Sequence, residues 1–227
     1  MSGTSLGHPL FCAAKDNNNL TERCEREIDI EISPKLTISL STIVDDTLDS
    51  GGSIWNGGYY LSKYLLQHAD MVQNKTVLEL GSGCGLTGII ASVCSAKQVV
   101  LTDLPEQIPY LQSNVEKNRN ILRSEACTCI PLDWGSETKC EDIPHRYDAI
   151  LAADVGFDVS LHQPLVSTLL LYASATTDIY LVEEQRWRDV YNWYLEEISE
   201  HFDVIEKVVI SSDACRVPVV LWHVKKK

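Results

Sequence analysis

Near the start of the chain, apolar residues occupy alternate positions in two short segments, at Ile28, Ile30 and Ile32 and then at Leu36, Ile38 and Leu40. A repeat of two residues is typical of strands that bury one face and expose the other. The intervening Ser33-Pro34-Lys35 suits a turn, so the pattern predicts a β-hairpin. Two strands are too few to be stable alone. We therefore expect residues 25–50 to form an extension that packs on the rest of the protein.

Further along, the pattern changes to apolar runs that alternate with helical periods. The runs are Val77–Leu80, Gln98–Leu101, Cys127–Leu132, Tyr147–Val155 and Ile179–Val182. Apolar residues at helical spacing follow the first run, beginning with Leu86 and Ile89. Strands that lack a polar face are typical of parallel sheets covered on both sides. The alternation of strands and helices therefore predicts a doubly wound α/β fold.

Two apolar runs at residues 202–210 and 217–224 end the chain and lie near enough in sequence to form an antiparallel hairpin. Added to the earlier runs, they predict a seven-stranded, mostly parallel sheet that ends in a C-terminal antiparallel hairpin. A length of 227 residues suits one domain of this class, and we assign it to residues 51–227. Residues 1–24 are polar, and we expect a mobile lead-in there.

The first apolar run leads into a glycine-rich turn, in which Glu79 is followed by Gly81, Gly83 and Gly85. Glycine is needed where a turn requires positive φ or where a ligand approaches the backbone closely. The spacing matches neither the dinucleotide fingerprint nor the phosphate loop with its lysine. About 20 residues further on, the second run ends at Asp103, where nucleotide-binding folds place a carboxylate on the ribose. The two features together predict a cofactor that contains a nucleoside.

Acidic residues follow each of the predicted parallel strands. They are Glu79, Asp103, Asp133, Asp154 and the pair Glu183-Glu184. In open α/β sheets the ligand binds beyond the carboxyl ends of the strands. Carboxylates from several strands would meet there, so the pattern favours a site for a cationic ligand.

Composition narrows the classes of partner and compartment. The formal net charge of −13 argues against a nucleic-acid substrate, which usually requires a basic surface, and favours a basic protein partner.

The segment from Met1 to Phe11 lacks the long apolar run of a secretory signal, and no membrane-length apolar stretch occurs. The 8 cysteines show no Cys-x-x-Cys pair, which suits reduced thiols. We expect a cytoplasmic protein and a monomer.

Several motifs in order along the chain resemble one enzyme family. They are Ile54-Trp55-Asn56-Gly57, the segment Val77 to Gly88, Leu101-Thr102-Asp103, Leu132-Asp133-Trp134-Gly135 and Ala152-Ala153-Asp154. This set resembles the family-16 branch of seven-β-strand, class I, S-adenosylmethionine-dependent methyltransferases, which are Rossmann-like and largely modify protein lysines. Glu184-Gln185-Arg186 is also similar to the branch that includes the valosin-containing-protein lysine methyltransferase.

The resemblance implies S-adenosylmethionine as the cofactor, methyl transfer to a lysine ε-amine of a cytosolic protein, and no metal. It implies a cofactor site formed by Trp55, Glu79, Gly81, Ser82, Gly83, Asp103, Trp134 and Ala153. It also implies catalytic roles for Asp154, which would orient the amine, and for Phe157, which would form a wall of the lysine channel.

One position departs from the family pattern. Family members usually have Asp-x-x-Tyr after the fourth parallel strand, whereas this chain has Phe157 at the tyrosine position. The aromatic ring is kept and the hydroxyl is lost. The missing tyrosine keeps a non-catalytic methyltransferase-like binding protein open as an alternative. A small-molecule N- or O-methyltransferase also stays open, because it would use the same cofactor residues.

Overall fold

The computed structural model describes residues 24–44, 52–136, 139–186, 188–211 and 217–227. The predicted lead-in therefore lies outside the described residues, apart from its last position. The predicted hairpin is confirmed as strands β1 (Cys24–Ser33) and β2 (Leu36–Val44), which pair antiparallel with Ile30 opposite Ile38.

A seven-stranded sheet forms the rest of the fold, and its strands alternate with helices as the sequence predicts. The elements in order are α1 (Asn56–Gln67), β3 (Thr76–Leu80), α2 (Leu86–Val93), β4 (Gln98–Asp103), α3 (Ile108–Lys117), β5 (Ala126–Pro131), β6 (Ala149–Ala153), α4 (His162–Tyr172), β7 (Asp178–Glu184), α5 (Arg188–His201), β8 (Phe202–Val209) and β9 (Val219–Lys226). The strand order is β5-β4-β3-β6-β7-β9-β8. Strands β3 to β7 are parallel, and β9 runs antiparallel to both of its neighbours.

Hydrophobic side chains cover both faces of the sheet, which is why the parallel strands lack a polar face. One buried cluster joins the sheet to residues of α1, α2 and α3, and a second joins the other face to α4 and α5. The apolar face of the hairpin belongs to the first cluster, where Ile38 and Leu40 are almost fully buried. Strand order reverses between β3 and β6, and this reversal opens a crevice at their carboxyl ends.

Helix α1 begins earlier than the sequence pattern indicates. Residues 50–58 read as a glycine-rich loop, yet the helix starts at Asn56 and includes Gly57 and Gly58. Trp55 at the N-cap provides no side-chain cap. Instead, the Gly57 N–H donates to Asp154 Oδ2 at 2.6 Å, so a carboxylate from a distant strand end satisfies a backbone donor in the first turn.

Apolar residues at helical spacing from Trp187 to Ile198 predict a last helix. In the structure this helix, α5, begins at Arg188, and Trp187 lies outside the described residues. In the part of the chain that the structure describes, no helix is both long enough and apolar enough to cross a membrane.

Candidate functional site

A cavity of about 270 Å³ lies at the carboxyl ends of β3, β4, β5 and β6. Every residue that the sequence analysis assigns to the cofactor or the reaction contributes to its wall, namely Trp55, Glu79, Gly81, Ser82, Gly83, Asp103, Trp134, Ala153, Asp154 and Phe157. These residues come from five segments of the chain. The fold therefore brings the predicted set into one place.

The glycine turn between β3 and α2 is held in a left-handed conformation. Gly81, Gly83 and Gly85 have φ values of 64°, 53° and 84°, which residues with a Cβ rarely adopt. Ser82 ties the turn to β4, because its N–H donates to the Thr102 carbonyl at 2.9 Å and its hydroxyl accepts the Thr102 N–H at 3.1 Å.

Asp103 fixes the same turn from the end of β4. Its Oδ2 accepts the Gly83 N–H at 2.7 Å, and its Oδ1 accepts the Leu104 N–H at 2.8 Å. A carboxylate oxygen can accept more than one hydrogen bond. The side chain can therefore hold the turn and also accept hydroxyl groups from a ligand in the cavity.

Glu79 is a buried carboxyl group beside the turn, and it is 4% exposed. Burial raises its pKa to about 8, although the nearby side-chain hydroxyls of Ser82 and Thr87 and the Gly88 N–H favour the ionised form. Among the described residues, its Oε2 has no hydrogen-bond partner. Glu79 lines the cavity, and a buried carboxyl group at this place fits a ligand that brings positive charge or a hydrogen-bond donor.

Behind Trp55 lies a buried group of polar side chains that we call the Arg186 cluster, made of Asn56, Asp154, Glu184 and Arg186. The guanidinium of Arg186 pairs with Glu184, lies 3.8 Å from Asp154 Oδ2 and is centred 4.5 Å from the Trp55 ring. Asn56 Nδ2 donates to Glu184 Oε1 at 2.9 Å. The three charged side chains are 6–11% exposed. The cluster therefore fixes the tryptophan that lines the cavity.

Asp154 connects this cluster to the cavity. Its Oδ1 accepts the Glu184 N–H at 2.9 Å, its Oδ2 accepts the Gly57 N–H, and its φ of 53° lies in the left-handed region. Burial raises the pKa of Asp154, whereas the Glu184 N–H, Arg186 and the Gly57 N–H lower it. Much of the acceptor capacity of this carboxylate is thus used to hold backbone groups.

The loop that carries Phe157 is supported from below by two buried side chains. Glu183 Oε1 accepts the N–H groups of Val155 and Gly156, at 3.1 and 2.7 Å. His162 Nε2 lies 3.0 Å from the Gly156 carbonyl oxygen. Burial and the charge of Asp154 raise the pKa of Glu183 well above its usual range. Phe157 itself lines the cavity with 41% of its surface exposed.

One part of the sequence prediction is wrong. Glu183 and Glu184 follow a strand of the same sheet, but neither lines the cavity. Glu183 accepts backbone N–H groups instead, and Glu184 contacts Asn56 and Arg186. The reason is that β7 lies one strand further from the point where the strand order reverses. The acidic wall of the cavity consists of Glu79, Asp103, Asp133 and Asp154.

The role of Arg186 is not predicted by the sequence. The residue belongs to a segment that resembles one family branch, and nothing in the local pattern places it against Trp55. The signal that could have identified it is charge. An arginine follows two glutamates at a strand end that should be buried, and buried charges need partners.

The cavity fits S-adenosylmethionine on its own features. The left-handed glycine turn admits a ligand close to the backbone, Asp103 suits ribose hydroxyls, and the Glu79 carboxyl group suits a cationic group. Among the described residues that line the cavity, no lysine, arginine or histidine occurs. A cofactor with a sulfonium and an amino group matches this charge.

Comparisons with known proteins agree with this assignment. Residues 34–202 match the lysine methyltransferase family. The chain is 28% identical over 160 residues to EEF1A lysine methyltransferase 3 of Xenopus tropicalis, covering 70% of this chain and 69% of that protein. It is 30% identical over 153 residues to protein N-lysine methyltransferase METTL21A of the same frog, with 67% and 69% covered. Some relatives are longer, and the chain covers 57% of the mouse protein-lysine N-methyltransferase EEF2KMT.

Solved structures of low sequence identity share the fold. TrmN from Thermus thermophilus superposes with a TM-score of 0.56 at 15% identity, covering 80% of this chain and 51% of that one. TYW2 from P. horikoshii, solved with MeSAdo, gives 0.54 at 15% identity, with 83% and 69% covered. The class I methyltransferase fold predicted from the sequence is therefore confirmed. The chain belongs to the lysine methyltransferase family, and it is an enzyme that uses S-adenosylmethionine.

Proposed function

We propose that this protein methylates the ε-amine of a lysine in another, cytosolic protein. The observation that carries the proposal is the charge of the cavity wall, which has four carboxyl groups and, among its described residues, no cationic side chain. Such a wall favours a cationic cofactor and a cationic amine together. The relatives named above as lysine methyltransferases of proteins support the same acceptor class.

The cofactor, when bound, supplies an electrophilic methyl group on a sulfonium, and the protein must orient and desolvate the amine. A lysine of pKa ~10.4 must lose a proton first, which costs roughly 4–5 kcal/mol at pH 7. An apolar surrounding lowers this cost because it disfavours the ammonium. The cavity wall has apolar surface near Asp154, supplied by Val155, Phe157 and Leu161.

We assign the cofactor side to Trp55, Glu79, Gly81, Ser82, Gly83, Asp103, Trp134 and Ala153, and the acceptor side to Asp154 and Phe157. The carboxylate of Asp154 would attract the amine, and two backbone N–H groups already hold this carboxylate in position. Phe157 would form the wall of the lysine channel with its exposed ring.

The proposal is tested by incubating the protein with labelled S-adenosylmethionine and a cytosolic extract, followed by separation of proteins from small molecules. We expect label in protein, recovered as methyllysine after acid hydrolysis. Label in the small-molecule fraction alone would favour a small-molecule methyltransferase. Binding of S-adenosylhomocysteine without any transfer would favour a non-catalytic protein.

Asp154 is tested by the substitution Asp154→Asn, because asparagine tolerates the left-handed φ and removes the charge. If the carboxylate orients the amine, the rate of transfer at saturating cofactor should fall about 100-fold, with little change in the affinity for S-adenosylhomocysteine. A parallel loss of rate and cofactor affinity would instead mean that Asp154 acts by holding the Trp55 turn. Asp133→Asn is the control, since it removes one charge from an exposed position of the same cavity.

A further inference from the structure

The N-terminal hairpin is attached to helix α3 by two asparagine side chains. Asn114 Oδ1 accepts the Ser41 N–H at 2.7 Å, and its Nδ2 donates to the Ser41 carbonyl at 3.0 Å. Asn118 makes the same pair of bonds with the N–H and carbonyl of Ser39, at 3.1 and 2.7 Å. Both asparagines are buried, with 0% and 3% exposed. Each amide thus pairs with strand β2 as a neighbouring strand would.

The spacing of helix and strand explains why this pairing repeats. Residues four apart on a helix rise about 6 Å, and residues two apart on a strand advance about 6.8 Å. Alternate residues of a strand direct their backbone groups to the same side. Two asparagines that are four residues apart on a helix can therefore pair with two strand residues that are two apart. Asn114 pairs in this way with Ser41, and Asn118 pairs with Ser39.

The two asparagines differ in their third hydrogen bond. Asn118 Nδ2 donates to the carbonyl of Asn114, within its own helix, at 2.8 Å. Asn114 Nδ2 donates instead to the carbonyl of Cys84 at 3.0 Å. Cys84 lies in the glycine turn, between Gly83 and Gly85. The next carbonyl along the chain, that of Gly85, accepts the first hydrogen bond of α2, from the Ile89 N–H. One side chain therefore contacts both the hairpin and the turn.

We propose that Asn114 is a positioning residue that couples attachment of the N-terminal hairpin to the shape of the cofactor-binding turn. The turn is held on one side by Asp103 through the Gly83 N–H and on the other by Asn114 through the Cys84 carbonyl. Since Asn114 has its three hydrogen bonds only when Ser41 is in place, the hairpin stabilises the turn in the conformation seen here. This inference rests on the proposed placement of the cofactor at the glycine turn.

The matched pair Asn114→Ala and Asn118→Ala tests the coupling. Both variants lose two hydrogen bonds to β2, so both should lower the stability of the folded protein by similar amounts in urea unfolding. Only Asn114→Ala should weaken the binding of S-adenosylhomocysteine, by about 5- to 10-fold as expected for one lost hydrogen bond, whereas Asn118→Ala should bind as the wild type does. Equal affinities in the two variants would overturn the proposal.

The wild-type protein gives a second test that does not depend on the folding of a variant. Coupling is reciprocal, so the binding of S-adenosylhomocysteine must slow hydrogen exchange of the Ser41 N–H. Unchanged exchange at saturating ligand would overturn the coupling. A different result, undiminished affinity in a folded Asp103→Ala variant, would contradict the placement of the cofactor itself, so the two failures can be told apart.

Discussion

Replacing Arg186 with alanine is expected to lower the free energy of unfolding by about 3–5 kcal/mol at pH 8, the usual cost of leaving a buried charge without its partner. Arg186 is the cation of a site that also holds the carboxyl groups of Asp154, Glu183 and Glu184. Without the guanidinium, these groups remain buried beside one another with only hydrogen bonds to support them. The Trp55 ring also loses the cation that packs on it.

The pH dependence gives this expectation a second readout. Burial already raises the pKa values of Asp154 and Glu183 above their usual range, so these groups bind protons more tightly in the folded protein than in the unfolded chain. Their contribution to stability is therefore favourable in acid and is lost as the pH rises. Loss of Arg186 should raise both pKa values further. The difference between variant and wild type should be largest at pH 8 and should shrink as the pH falls toward about 4, because the raised carboxyl groups then take up protons in both folded proteins and no longer need the guanidinium.

Urea unfolding at several pH values measures this difference, with Arg119→Ala as the control. Arg119 pairs with Glu116 at 3.0 Å on the surface of the protein, and the two side chains are 76% and 67% exposed. Such a pair contributes at most about 1 kcal/mol, so the control should unfold nearly as the wild type does. A loss of similar size in both variants, or a loss that does not change with pH, would contradict the charge arrangement described for the Arg186 cluster.

The features that the sequence predicts well are those whose cause is local. The glycine turn follows from spacing, because the positive φ values at Gly81 and Gly83 require residues without a Cβ. The position of Asp103 follows from the end of an apolar run, since parallel strands direct their carboxyl ends to one edge. Those two inferences use only neighbouring residues, and the structure brings the residues together in one cavity.

The features that the sequence does not predict depend on polar contacts between distant segments. Gly57 and Asp154 are 97 positions apart, and Asn114 is 73 positions from Ser41. Neither contact leaves a periodic pattern. The first also places the start of α1 at a segment with two glycines, which are poor helix formers. The asparagines did leave a weaker signal. Asparagine is disfavoured inside helices because its side chain competes for backbone groups, so two of them at a spacing of four indicate backbone contacts elsewhere.

Replacing Asp103 with alanine is expected to weaken the binding of S-adenosylhomocysteine by about 1.5–3 kcal/mol, which corresponds to about 10- to 150-fold in Kd. Two effects add in this variant. The ribose loses a charged acceptor, and the Gly83 N–H loses the oxygen that holds the turn at 2.7 Å. Asp103→Asn keeps one acceptor oxygen, so it should fall between alanine and the wild type.

Isothermal titration calorimetry on the folded variants measures this loss, and Asp133→Asn separates contact from charge. Asp133 lines the same cavity from the end of the neighbouring strand β5, and it is exposed. Its substitution removes the same unit of negative charge but leaves the glycine turn untouched. If the cavity attracted the ligand only through its net charge, the substitutions Asp103→Asn and Asp133→Asn would weaken binding equally. Of the two residues, Asp103 is the one that accepts the Gly83 N–H. We therefore expect a large loss of affinity for the Asp103 variants and a change in Kd of less than about twofold for Asp133→Asn, as for exposed charges in general.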